Sequence, residues 1–357
     1  MRKLPSKKQL EFLDWEFGVF FHFGIRSFFP GHKDWDGRQM PAECFCPSEL
    51  NCEQWILTAK KAGARYAVLT AKHHDGFALW NSKYTSYSVA KSSWRDGKGD
   101  VVREFTDACR KHGLRVGLYY SPAQWGDHAV SFSSPKEYDD YFINQIRELL
   151  TNYGKIDILW FDFSYPENKF PDGREGGGKG HKDWDSERII KTARRLQPHI
   201  IVDNRLDLPG SGDILTPEQY TPTGNVLEDN RGDNSIGAWE GCQTFSGSWG
   251  YYRDEMTWKS PEMLIRMLVN TVSLGGNLLM NVGPTSRGYL DYRAMDRLSA
   301  YANWMRYNSR SIYGCGQAPA EFQEGEGYRL TYNKETNRLY IHIYSWPYRM
   351  LNVKTLK

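Results

Sequence analysis

Short apolar runs alternate along the chain with amphipathic stretches. The runs are Phe17 to Gly24, Tyr66 to His73, Arg115 to Ser121, Asp157 to Phe163, Ile200 to Arg205 and Asn277 to Gly283. Each is short and rich in β-branched and aromatic residues, the pattern of strands buried on both faces. Between them the spacing predicts helices over Cys52 to Gly63, Asp100 to Gly113, Pro135 to Gly154, Asp185 to Leu196, Ser260 to Leu274 and Asp291 to Ser309. Asp100 suits an N-cap and Gly113 a C-cap. Strand–helix alternation implies an α/β fold with a parallel sheet. Six clear units and a weaker one near Trp239 to Gln243 predict a (β/α)8-like barrel of TIM type, regular or irregular. A doubly wound sheet is the alternative, but no GxGxxG follows the first strand. From about Pro319 the pattern changes. Tyr328 to Tyr332 and Leu339 to Tyr344 flank a polar turn, as in a hairpin. The expected domains are therefore a catalytic barrel over 1–316 and, over 317–357, the start of a small β-rich C-terminal domain that stops short. Pro171 to Lys182 is glycine-rich and reads as a loop.

Composition narrows the function classes. With 357 residues the chain is long enough for one large domain and an appendage. The net charge of +3 comes from interspersed residues without a basic stripe, so nucleic acid is not the expected partner. No run reaches the roughly 18–20 apolar residues that span a membrane. The start lacks an apolar core of signal-peptide length, no Asn-x-Ser/Thr site occurs, and the six cysteines form no CxxC pair. A cytoplasmic location with reduced thiols is the expectation. The 13 Trp and 22 Tyr offer flat apolar faces with polar tips, which suit sugar rings as well as a core.

In such a barrel the active site lies at the carboxyl ends of the strands. The first run ends at His22 and the second at His73, His74 and Asp75. The third ends at Tyr119 and Tyr120, the fourth at Trp160 and Asp162, the fifth at Asp203, Asn204 and Arg205. Five polar or aromatic strand ends together point to a binding pocket rather than packing. Three chemistries compete for it. His22, His73, His74 and Asp162 could ligate zinc, but the first strand lacks a His-x-His. A glycosidase needs two carboxylates, of which Asp162 would be one. A sugar-binding protein would use the same His and Trp residues without a second placed carboxylate.

At these residues the chain resembles the α-L-fucosidases of glycoside hydrolase family 29. The matching segments are Phe17 to Gly24 (FGVFFHFG), Ala71 to Val89, Gly97 to Ser121, Asp157 to Phe163, Trp239 to Tyr251 and Ser273 to Gly288 (SLGGNLLMNVGPTSRG). They follow the family's order over about 300 residues. The resemblance implies a retaining exo-α-L-fucosidase that uses no cofactor and no metal. Its substrate would be a glycan with terminal α-L-fucose, and a homo-oligomer is compatible with it. It implies Asp162 as nucleophile. It implies a sugar pocket of His22, His73, His74, Tyr119, Trp160 and Arg205, with Trp35 from the loop after the first strand. His and Tyr can hydrogen-bond the three ring hydroxyls of fucose, and an aromatic face can hold its methyl. The acid/base lies in a variable loop of the family. Glu218, in Asp213 to Pro222 (DILTPEQYTP), is the matching residue. Glu240 in Trp-Glu-Gly-Cys is its rival, though it could equally be a structural acceptor, and Glu228 and Asp213 stand behind. Phe163 to Glu167 departs from the Gly or Met that many members carry after the nucleophile, which puts linkage preference in question. An α-L-galactoside substrate and a non-catalytic fucose-binding protein remain as alternatives.

Overall fold

The structure is a computed structural model that describes residues 4–29, 40–122, 135–162, 180–220, 236–325 and 327–355. Trp35, Phe163 to Glu167, Glu228 and the glycine-rich stretch up to 179 lie outside the described residues. Seven parallel strands form one sheet. They are β1 (Phe17–Phe21), β2 (Tyr66–Lys72), β3 (Arg115–Tyr120), β4 (Ile158–Phe161), β5 (Ile201–Val202), β6 (Glu240–Thr244) and β7 (Asn277–Val282). Their spatial order is β5-β4-β3-β2-β1-β7-β6. All neighbours pair in parallel.

The two ends of that order, β5 and β6, are joined by a segment the apolar pattern does not reveal. Asp203 bridges Ile214, while Leu215 bridges Trp239 and Glu218 bridges Cys242, all in parallel. Residues 214–218 thus stand where an eighth strand would close the ring. The barrel interior carries the same message. Phe20, Val68, Tyr119, Ile158, Trp160, Ile201, Ile214, Cys242 and Leu279 form one buried cluster, drawn from every strand and from this segment. Isolated bridges join the segment to its neighbours, and Pro217 has no N–H to extend them into a ladder.

Helices pack on the outside. They are α1 (Lys7–Leu13), α2 (Cys52–Lys61), α3 (Val101–His112), α4 (Pro135–Asn152), α5 (Ser186–Leu196), α6 (Pro261–Ser273) and α7 (Tyr292–Asn308). The expected caps are in place: Asp100 accepts from the Arg103 amide at 2.8 Å, and Gly113 takes a left-handed φ of 74°. Ser260 and Asp291 cap α6 and α7 in the same way. Helix α1 was not foreseen. Its capping box of Ser6 and Gln9 starts it, and Phe12 joins the inner cluster from below.

Gly18 is needed where it stands. A Cβ there would lie 2.4 Å from the Tyr66 ring, whose hydroxyl reaches into the barrel. The small sheet is antiparallel, in the order β11-β10-β8: β8 (Cys315–Gln317), β10 (Tyr328–Asn333) and β11 (Arg338–Ile343). β9 (Phe322–Gln323) pairs separately with β12 (Lys354–Thr355). The predicted hairpin is β10–β11. It rests on α6, where Tyr344 donates its hydroxyl to Asn270 Oδ1 at 2.6 Å. Among the described residues no helix is long and apolar enough to cross a membrane.

Candidate active site

The pocket is built at the carboxyl ends of the barrel strands. Asp162 follows β4 directly. Arg205 Nη1 donates to its Oδ1 at 2.8 Å, and the Tyr119 hydroxyl donates to its Oδ2 at 2.9 Å. Burial works against ionisation of Asp162. The Arg205 charge, nearby His74 and these two hydrogen bonds outweigh it and hold the carboxyl below its ordinary value. Asp162 is therefore an anion at neutral pH, with lone pairs facing a partly open pocket.

Arg205 is the centre of the arrangement. Its Nε donates to Thr216 Oγ1 and its Nη2 to the Thr216 carbonyl, both at 2.9 Å. Those contacts tie it to the closing segment and fix the guanidinium plane. Its carbon sits 4.5 Å above the Trp160 ring. The same Nη1 that holds Asp162 also lies 2.7 Å from Glu218 Oε2. The two carboxylate oxygens are therefore no farther apart than the sum of these contacts, about 5.5 Å. That ceiling matches the roughly 5–5.5 Å of retaining glycosidases and falls short of the roughly 6.5–9.5 Å of inverting ones. The Glu218 side chain is 37% exposed against 20% for Asp162, so Glu218 stands on the solvent side.

Glu240 is placed otherwise. It is fully buried, and its two oxygens accept from Tyr66 Oη at 2.5 Å and Trp160 Nε1 at 3.0 Å. Burial pushes its pKa up to about 7. It braces the ring beneath Arg205 from below the pocket floor. Asp213, the other candidate, pairs with Lys8 at 2.8 Å and Arg194 at 3.2 Å.

The histidines line one wall. His22 packs against His73, with ring centres 5.4 Å apart, and His73 lies against His74 at 4.2 Å. His73, Tyr119 and Trp160 form a stacked column with centre spacings of 5.6 and 5.7 Å. Burial lowers the pKa of His22 to about 3 and of His74 to about 4, and holds that of His73 well below its ordinary value. All three rings are neutral at physiological pH and can each offer one donor and one acceptor. His74 Nδ1 meets Ser121 Oγ at 2.7 Å, and its Nε2 lies 3.7 Å from Asp162 Oδ2, beyond hydrogen-bond range. Among the described residues no three His, Cys, Asp or Glu side chains are grouped as metal ligands.

Of the residues singled out from sequence, the fold brings His22, His73, His74, Tyr119, Trp160, Asp162, Arg205 and Glu218 together. Trp35 lies outside the described residues. Sequence reading passed over Trp249, whose ring stands 5.0 Å from His22, and Asn281, which bonds both His22 and the Trp249 backbone. A signal existed for Asn281. It is two residues beyond the inward-facing Leu279, so strand alternation points it inward too. Asp203 was read as a pocket residue. It instead accepts from the Phe161 amide at 3.1 Å, and burial raises its pKa well above the carboxylate range.

Comparison with known proteins agrees with the geometry. A family model described as alpha-L-fucosidase matches residues 2–310. Alpha-L-fucosidase 1 of Arabidopsis thaliana is 32% identical, the match covering 84% of this chain and 60% of that protein. Plasma alpha-L-fucosidase of Homo sapiens is 32% identical, covering 75% of this chain and 56% of that one. The chain thus spans less than two thirds of the length of these curated relatives. Among solved structures, alpha-L-fucosidase isoenzyme 1 from Paenibacillus thiaminolyticus superposes with a TM-score of 0.80 at 35% identity, over 94% of this chain and 83% of that one. A GH29 alpha-L-fucosidase from Bacteroides thetaiotaomicron has a TM-score of 0.82 at 23% identity, covering 98% and 84%, and supports the fold.

Proposed function

The chain belongs to the alpha-L-fucosidase family, and from that premise we propose that it is a retaining exo-α-L-fucosidase releasing terminal α-L-fucose from glycans. The observation that carries this reading is the single Arg205 nitrogen shared by Asp162 and Glu218 at 2.8 and 2.7 Å. It sets an ionised carboxylate and a more exposed carboxyl at the separation a double displacement needs. Asp162 attacks the anomeric carbon as the bond to the aglycone oxygen breaks, and Glu218 passes its proton to that oxygen. Glu218 then takes a proton from water, which attacks the same carbon, breaks the ester to Asp162 and frees fucose. The neutral histidines and the Trp249 ring hold the sugar, with Tyr119 and Trp160 packed beneath as the floor that fixes Asp162 and Arg205.

The reaction is tested by NMR of the first-formed anomer from an aryl α-L-fucoside. Retention predicts the α anomer before mutarotation. The β anomer would exclude the double displacement, and no turnover would favour a fucose-binding protein. Greater activity on an α-L-galactoside would move the substrate to that sugar. The cytoplasmic location stays part of the proposal, supported by the six cysteines being free thiols.

The electrostatics give a pH prediction. Protonating Asp162 removes the nucleophile, so kcat/KM falls on the acid side as Asp162 takes up a proton. Arg205 is the largest influence lowering that pKa against burial. In Arg205→Met the opposing charge is gone while the burial stays, so the acid limb moves to higher pH. An unmoved limb in the residual activity would show that Arg205 does not control Asp162.

A further inference from the structure

Asn281 lies on β7, 1% exposed, and its amide touches two walls of the pocket at once. Its Nδ2 donates to the Trp249 carbonyl at 2.6 Å. Its Oδ1 lies 2.5 Å from His22 Nδ1. An amide flip would set two acceptors against each other at Trp249, because a backbone carbonyl has no proton to give. The orientation of Asn281 is therefore dictated by Trp249, and the oxygen is what faces His22. An amide oxygen cannot donate, so the proton in this contact is on His22 Nδ1. A neutral imidazole has one N–H. Nε2 is then a bare lone pair.

We propose that Asn281 is a positioning residue that presents His22 to the sugar as a hydrogen-bond acceptor by holding the ring proton on Nδ1. His22 can then orient a substrate hydroxyl only as a donor. His74 differs: its Nδ1 meets the Ser121 hydroxyl, which can donate or accept, so that contact does not by itself set the ring proton. The same amide pins the backbone of Trp249, whose ring stands against His22. One side chain thus fixes both the proton of one wall and the place of another. The inference rests on the reading of this pocket as a fucoside site.

The test is the nitrogen NMR spectrum of the whole chain labelled in histidine, with His22→Gln used to assign the signal. Wild type is expected to show a pyrrole-type Nδ1 and a pyridine-type Nε2 for His22 at neutral pH. Asn281→Leu removes the acceptor. The tautomers should then mix or reverse, and kcat/KM should fall roughly tenfold or more. Asn281→Asp keeps an acceptor but adds a negative charge beside a ring already flanked by His73, His74, Tyr119 and Asp162. There His22 should take a second proton at higher pH than in wild type, and kcat/KM should lose activity over that same range as Nε2 stops accepting. A protonated Nε2 in wild type overturns the proposal, and so does an unchanged tautomer in Asn281→Leu. If that variant does not fold, the wild-type spectrum and the Asn281→Asp profile decide alone. Inactivity of wild type on fucosides with Nδ1 protonated would sink the functional reading instead.

Discussion

Asp162→Gly is expected to lower turnover of an aryl α-L-fucoside by about 10⁴-fold or more while the protein still folds and binds fucose. The size follows from what is removed. Asp162 is held as an anion by both an arginine and a tyrosine, at 2.8 and 2.9 Å. Glu218, which shares the Arg205 nitrogen with it, stands on the solvent side and cannot reach the opposite face of the sugar. Stability should change little, because glycine removes a buried charge together with the strain of desolvating it, and Arg205 keeps Glu218 and Thr216 as partners. Azide supplied to the variant occupies the space Asp162 leaves. It attacks from the face opposite the aglycone and gives the β-fucosyl azide. Turnover within tenfold of wild type would remove Asp162 from the nucleophile's role.

The fold was legible wherever burial on both faces made a continuous apolar run. β1, β2, β3 and β7 stand almost where those runs lie, and α3 runs between its expected caps, Asp100 and Gly113. The runs over-reached mostly at their polar ends: His22, His73, Ser121 and Asp162 each follow the last strand residue. Strand β5 shrinks to Ile201–Val202 because Asp203 gives its side-chain oxygen to the Phe161 amide, ending the pairing with β4, and bridges Ile214 on its other side. The closing segment 214–218 was not legible. It is held by isolated bridges, with Arg205 bonding Thr216 from a neighbouring strand end, and no periodic pattern records such contacts. The site followed the same rule. Single residues at strand ends, Asp162 and His22 among them, could be read from position. The part played by Arg205 could not, because it depends on three partners 11 to 43 residues away. Trp249 lies in a loop, where sequence gives no direction to a side chain.

Glu218→Ala carries the second large effect, and its signature separates Glu218 from Glu240. A proton to the leaving oxygen matters most when that oxygen is a poor leaving group. Hydrolysis of a fucosyl disaccharide should therefore drop by about 10²–10⁴-fold, while an activated aryl fucoside loses far less in its first step. With that substrate the fucosyl–Asp162 ester accumulates, since no base remains to activate water. Azide needs no base. It should restore turnover by entering the space left by Glu218, on the face the aglycone vacated, and give the α-fucosyl azide. The two variants thus yield opposite anomers from the same reagent, because the carboxyls they remove stand on opposite faces of the sugar. Glu240→Ala should show neither the leaving-group dependence nor the azide product. Its oxygens face Tyr66 and Trp160 inside the barrel, so its loss unsettles the floor under Arg205 for every substrate alike. An α-azide from Glu240→Ala, with none from Glu218→Ala, would transfer the acid/base role to Glu240.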